Sequence, residues 1–132
     1  MLEAGMTYTL EKLVTSDMTA AAIGGDSGVD ALGTPFLIAY IEDACVKLML
    51  QELEEGMGSV GTTISLAHKA PTPVGMKIYI TVTVTEVDRK RVEFDFECKD
   101  EVEVIGTGHH QRFIIKNDKF LAGVQAKAAA VK

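Results

Sequence analysis

The feature that most constrains this chain is a change of hydrophobic period near Gly56. Before it, from Phe36 to about Leu53, apolar residues fall at positions 37, 38, 41, 45, 48 and 49. That is helical spacing with one broad apolar face. After it, apolar and polar residues alternate with period 2. Met76, Ile78, Ile80, Val82 and Val84 point to one face, with Lys77, Tyr79, Thr81, Thr83 and Thr85 on the other. Val92, Phe94, Phe96 and Cys98 repeat the pattern opposite Glu93, Asp95 and Glu97.

Local signals set the expected boundaries. Thr34 is a good helix N-cap, and Pro35 suits the first helical position, where its missing N–H had no partner anyway. The helix should run for about 18 residues, roughly 27 Å. Glu54, Glu55 and Gly56 end it, with Gly56 as the C-cap. Residues 6–15 read as a first strand, and 60–69 and 102–115 as further strands. The polar run Asp88-Arg89-Lys90 joins 76–84 to 92–98 as a hairpin. Residues 16–33 are glycine-rich and read as a loop with one short helical turn. No Gly-Lys-Ser/Thr follows, so this is not a phosphate-binding loop. The alanine-rich residues 119–132 read as a short frayed helix. The expected order is strand, loop, long helix, then four strands in a meander, within one α+β domain spanning 1–132. The helix must cover the apolar face of the five-stranded antiparallel sheet. One helix covers only part of such a sheet, which points to a partner subunit.

Composition narrows the function. The chain has 132 residues, a net charge of −6 and 47% apolar residues. The acidic balance argues against nucleic-acid binding, which relies on Lys and Arg neutralising phosphates. No apolar run spans a bilayer, and Met1 to Gly5 do not begin a signal peptide, so a cytoplasmic location is expected. Cys45 and Cys98 sit in apolar patterns without a C-x-x-C spacing and read as buried free thiols.

Three residues break the packing pattern. Glu42 lies within the helix between Ile41 and Cys45. Either it sits at the edge of the apolar stripe and reaches solvent, or it is partly desolvated, with a raised pKa that makes it a better base. His68 ends a small-residue strand just before Pro71 and Pro73. It is either an ordinary hydrogen-bonded histidine or a catalyst at the mouth of the sheet. Thr34 serves as a helix cap, yet it lies eight residues from Glu42, on a similar helix face. The helix start also offers N–H groups and a positive dipole end that could polarise a carbonyl. His109 and His110 face opposite sides of a strand and do not form a metal site, while Arg112 can meet a carboxylate, phosphate or carbonyl oxygen.

The runs GTPFLIAYIEDACV at 33–46, GSVGT at 58–62, HKAPTPVG at 68–75 and IGTGHHQR at 105–112 resemble the fluoroacetyl-CoA thioesterase family of hot-dog proteins. The likeness covers about residues 33 to 120. It implies the hot-dog fold, a long central helix wrapped by a five-stranded antiparallel sheet, paired as a homodimer with tetramers as a further option. It also implies hydrolysis of an acyl thioester, a small acyl-CoA foremost, with no cofactor beyond the CoA of the substrate. By motif the catalytic set falls on Thr34, Glu42 and His68, and the substrate-binding pair on Gly61 and Arg112. Aromatic gating residues precede the helix in the fluoroacetyl-selective member. Here residues 24–30 contain no aromatic, so fluoroacetyl selectivity does not follow. Two other outcomes fit the same fold: a non-catalytic acyl-CoA binding module, and a hot-dog hydratase acting on an enoyl thioester.

Overall fold

A computed structural model describes residues 1–24 and 28–131. Strand β1 (Thr7–Leu13) leads through a 3-10 turn at Ser16–Met18 into the short helix α1 (Ala20–Gly24). The long helix α2 (Thr34–Leu50) follows, then strands β2 (Met57–His68), β3 (Lys77–Asp88), β4 (Arg91–Asp100) and β5 (Val104–Lys116), and a final helix α3 (Asn117–Ala129). Residues 25–27 of the glycine-rich stretch lie outside the described residues. Among the described residues no helix is long and apolar enough to cross a membrane.

The alternation places the core where the sequence puts it. Ile78, Ile80, Val82 and Val84 of β3, and Val92, Phe94, Phe96 and Cys98 of β4, are all at most 4% exposed. Leu37, Ile41, Ala44, Cys45, Leu48 and Met49 of α2 pack against them. Each large side chain so buried contributes about 1.5–3 kcal/mol relative to exposure. Helix α3 buries none of its residues.

Three local expectations are corrected. The N-cap of α2 is Gly33, so Thr34 stands inside the first turn, and its hydroxyl does not cap the helix. That hydroxyl is engaged elsewhere, by His68. The helix stops at Leu50, and Gln51 is its C-cap. The chain then turns through Glu52 N–H and Leu53 N–H, both donating to Met49 O. Acidic side chains at Glu52, Glu54 and Glu55 oppose the negative end of the helix dipole there. Gly56, with φ +85°, makes the left-handed turn into β2 instead of closing the helix.

The third correction concerns topology. The sheet order is β1-β3-β4-β5-β2, antiparallel throughout. Only β3, β4 and β5 form the expected meander, and β2 sits at the far edge against β5. Residues 69–76, with Pro71 and Pro73, are too long and too proline-rich for a tight hairpin, so they carry the chain across to β3.

This crossover is pinned by Thr72, which is fully buried. Its hydroxyl donates to Asp100 Oδ2 at 2.9 Å, and its carbonyl accepts from Leu32 N–H at 2.8 Å, just ahead of α2. Asp100 also accepts the N–H groups of Val102 and Glu103 at 2.8 and 2.9 Å. Burial alone would raise the Asp100 carboxyl, but these three donors outweigh it and hold the group below the usual carboxylate range. A depressed folded-state pKa gives stability that is present above the unfolded value, near 3.9, and lost as pH falls through the folded one. Asp100→Asn is therefore expected to cost about 1–2 kcal/mol at pH 7 and clearly less at the acid end, as read by urea unfolding at both pH values. An equal loss at both would mean the charge plays no part.

Candidate active site

Helix α2 starts beside the C-terminal end of β2. There Thr34 Oγ1 lies 2.7 Å from His68 Nδ1, so the first turn of the helix and the last residue of the strand are bonded side chain to side chain. Burial pushes the His68 imidazole below its usual range, with a polar contact to the Ala70 backbone opposing this, so the ring is neutral at pH 7. Its Nε2 is buried and, among the described residues, has no hydrogen-bond partner. A buried ring nitrogen in that condition marks a place that something else completes.

Two turns further along α2 a second group forms. Arg112 Nη1 donates to Glu42 Oε2 at 3.1 Å. The same Nη1 lies 3.1 Å from His110 Nε2, and the other side of the guanidinium donates to Ser59, from Nε to Oγ at 2.8 Å and from Nη2 to the carbonyl at 3.1 Å. The Arg112 side chain is 6% exposed and that of Glu42 41%. Of the two readings open for Glu42, an edge position reaching solvent is the one its 41% exposure supports, and apolar neighbours do not set its character. What meets its Oε2 is a buried cation.

Strand β2 shapes this corner. Gly61 pairs with Arg112 and Thr63 with Gln111, so Thr62 is the extra residue of a bulge, its hydroxyl bonded to Gln111 O. A Cβ at Gly61 would lie 2.8 Å from Glu42 Oε2, 3.1 Å from His110 Cε1 and 3.3 Å from Arg112 Nη1. A larger residue here would have to displace the Glu42 carboxylate. A small cavity of about 140 Å³ opens beside it, lined by Glu42, Gly61, Thr62, Thr63, Ile64 and His110. Gly61→Ala is expected to push the Glu42 carboxylate aside and lower turnover by about 10²-fold, since a displacement near 1 Å has that effect on a reacting group. Steady-state kinetics at an unchanged melting temperature would show it, and wild-type turnover would remove the steric argument.

The motif residues thus fall into two groups rather than one. Thr34 and His68 meet, as do Glu42, Gly61 and Arg112. Within one chain the groups are separated by about 12 Å along α2 and about 20 Å along β2. Ser59, which holds Arg112, was not singled out from the sequence, and His110 was weighed there only as a metal ligand. Strand parity could have set His110 beside Arg112, because residues two apart on β5 share a face. His109 faces the other way, between Asp95 and Glu93 at 2.7 and 2.6 Å, and these carboxylates raise its pKa. Among the described residues no group of His, Cys, Asp and Glu is placed to hold a metal. Cys45 and Cys98 are buried free thiols, pushed up to about 12 by burial, so neither supplies a thiolate at neutral pH.

Comparison with known proteins shows the family and the fold. The family model for the fluoroacetyl-CoA-specific thioesterase matches residues 14–118. A fluoroacetyl-CoA thioesterase from Streptantibioticus cattleyicolor is 37% identical over 101 residues, 76% of this chain and 73% of that protein. A solved structure of the fluoroacetyl-CoA thioesterase superposes with a TM-score of 0.89 at 31% identity, over 96% of this chain and 97% of the other. A hot-dog-like protein from Thermanaerovibrio acidaminovorans shares the fold at 22% identity, with a TM-score of 0.86 over 94% and 91% of the two chains. With its five-stranded antiparallel sheet around one long helix and a family match over most of its length, this hot-dog chain belongs to the fluoroacetyl-CoA-specific thioesterase family.

Proposed function

We propose that this thioester hydrolase acts on a short-chain acyl-CoA at a site shared between two copies of the chain. Glu42 and Arg112 come from one copy, and Thr34 and His68 from the other. The observation that carries this reading is the split of the motif residues, together with the character of β2. That strand is one of the two sheet edges, 12 residues long, and contains no Asp, Glu, Lys, Arg or Pro. Such an edge invites pairing with a second strand. Antiparallel pairing of two β2 strands about a two-fold axis between Ile64 and Ser65 would set each His68 opposite the partner's Gly61. The orphaned Nε2 of His68 would then face the carboxylate corner of the other subunit.

The chemistry follows from the charges. The acyl group occupies the small cavity at Gly61, whose size suits a short chain. Residues 24–30 carry no aromatic, so the reading does not extend to fluoroacetyl selectivity. Glu42 attacks the thioester carbonyl carbon, or takes a proton from the water that does. By the first route a C–O bond forms, the C–S bond breaks, and water then cleaves the mixed anhydride. By the second, the tetrahedral intermediate forms from water and collapses with loss of the thiolate. Both end in free acid and thiol. The helix start offers few donors, because Pro35 has no N–H and those of Phe36 and Leu37 go to Gly33 O. The developing oxyanion is therefore held by the Gly61 backbone and the Arg112 charge. The proton given up by the attacking water is passed on through His68 to the thiolate sulfur, and Thr34 fixes the ring.

Thiol release and product analysis across saturated and unsaturated acyl-CoAs of increasing length test this. Free CoA and acid are expected, fastest for short chains. Saturable binding without thiol release would identify a binding module. Water added to an enoyl chain with the thioester intact would identify a hydratase.

A further inference from the structure

We infer that His110 is a positioning residue for Glu42: held as the Nδ1–H tautomer by Thr63, it presents Nε2 as the acceptor that fixes the Arg112 guanidinium against the carboxylate. The inference rests on the reading of Glu42 as the reacting group.

The tautomer follows from the partners. His110 is 1% exposed, on the inward face of β5 beside Phe94, with ring centroids 6.4 Å apart. Its Nδ1 lies 2.8 Å from Thr63 O, and a carbonyl only accepts, so Nδ1 carries the hydrogen. Its Nε2 lies 3.1 Å from Arg112 Nη1, which only donates, so Nε2 is the bare nitrogen. A second proton on the ring would set two donors and two positive charges against each other at that distance. Burial, the largest influence, pushes the imidazole pKa down, as do Arg112 and His109, while the Thr63 carbonyl and Glu42 push the other way.

The arrangement leaves Arg112 little freedom. Ser59 holds the guanidinium at Nε and Nη2, and the two hydrogens of Nη1 are divided between Glu42 Oε2 and His110 Nε2. The ring itself is buried and stacks against Phe94. Without the His110 acceptor, a buried N–H of Nη1 has no partner, and the guanidinium turns to find one. Glu42 Oε2 then loses its fixed donor, and the carboxylate loses its direction.

Two substitutions separate positioning from packing. In His110→Gln the amide oxygen reaches the place of Nε2 and can accept from Arg112. In His110→Asn the shorter amide can still donate to Thr63 O but cannot reach Arg112. The expected result is a fall in kcat of about 10²-fold for His110→Asn with KM moved less than about threefold, and for His110→Gln a kcat within about tenfold of wild type. Both variants should fold, as read by circular dichroism and melting temperature. Equal losses in the two variants, or an unchanged kcat in His110→Asn, would overturn the inference. Nitrogen-15 NMR of the wild-type imidazole gives a readout free of activity, with protonated Nδ1 and bare Nε2 expected at pH 7. A hydrogen found on Nε2 overturns the assignment by itself. If the wild-type protein releases no thiol from any acyl-CoA, the proposed function fails instead, and the NMR result still decides the tautomer.

Discussion

Glu42→Gln is expected to lower kcat/KM for thioester hydrolysis by about 10²–10⁴-fold, the range over which a positioned acid–base group acts. The substitution keeps the size of the side chain and an oxygen that can accept from Arg112 Nη1. It removes the charge proposed to attack the carbonyl or activate water. The fold should be unaffected, because the Glu42 side chain is 41% exposed and contributes nothing to the apolar core. A melting temperature close to wild type, with thiol release near background, is the expected pair of results. Wild-type-like hydrolysis by this variant would falsify the assignment of Glu42, whichever of the nucleophile and base routes is considered. Trapping distinguishes those two routes. An acyl group found covalently on Glu42 after quenching selects the nucleophile route, and label from ¹⁸O-water entering the carboxylate of Glu42 in a single turnover supports the same choice.

Mixing two inactive variants is expected to restore activity. His68→Ala removes one half of the proposed site and Glu42→Gln the other, so each homodimer should be close to dead. In a hybrid dimer, one site combines both lesions, and the other combines the intact Glu42 of one subunit with the intact His68 of its partner. Random exchange of equal amounts should therefore return about a quarter of the wild-type sites. That is a rise from near zero, far outside experimental scatter. If the Thr34–His68 pair acted with the Glu42 of its own chain, no hybrid would contain a complete site, and the mixture would stay inactive. Sedimentation of the wild-type chain supplies the accompanying check, since a monomer at assay concentration is incompatible with a shared site.

Much of the fold can be read from residue order. Period-2 alternation identifies the buried faces of β3 and β4, because successive side chains on a strand point to opposite sides of the sheet. The same parity separates His109 from His110, and the structure places them on opposite faces with different partners. What parity does not carry is which strand lies beside which. The edge position of β2 depends on a crossover held by Thr72, Asp100 and Leu32, groups distant in sequence whose bonding has no local signature. Helix ends were misplaced for a similar reason. Thr34 is a fit cap by propensity, but a tertiary bond to His68 takes its hydroxyl, and Gly33 caps in its place.

The change of period with which the chain is first read therefore has a definite reach. By itself the sequence determines a long helix on an antiparallel sheet and, through its motif runs, the family, and it nominates Thr34, Glu42, His68, Gly61 and Arg112 as candidate site residues. Only the tertiary structure decides how those residues are grouped. The strand register sets Gly61 opposite Arg112, and the helix brings Glu42 down onto the pair. Meanwhile the eight-residue step along α2 carries Thr34 away to His68. The physical reason is that periodicity describes directions along one element, whereas a site depends on distances between elements, and those are set by strand order, register and the bulge at Thr62.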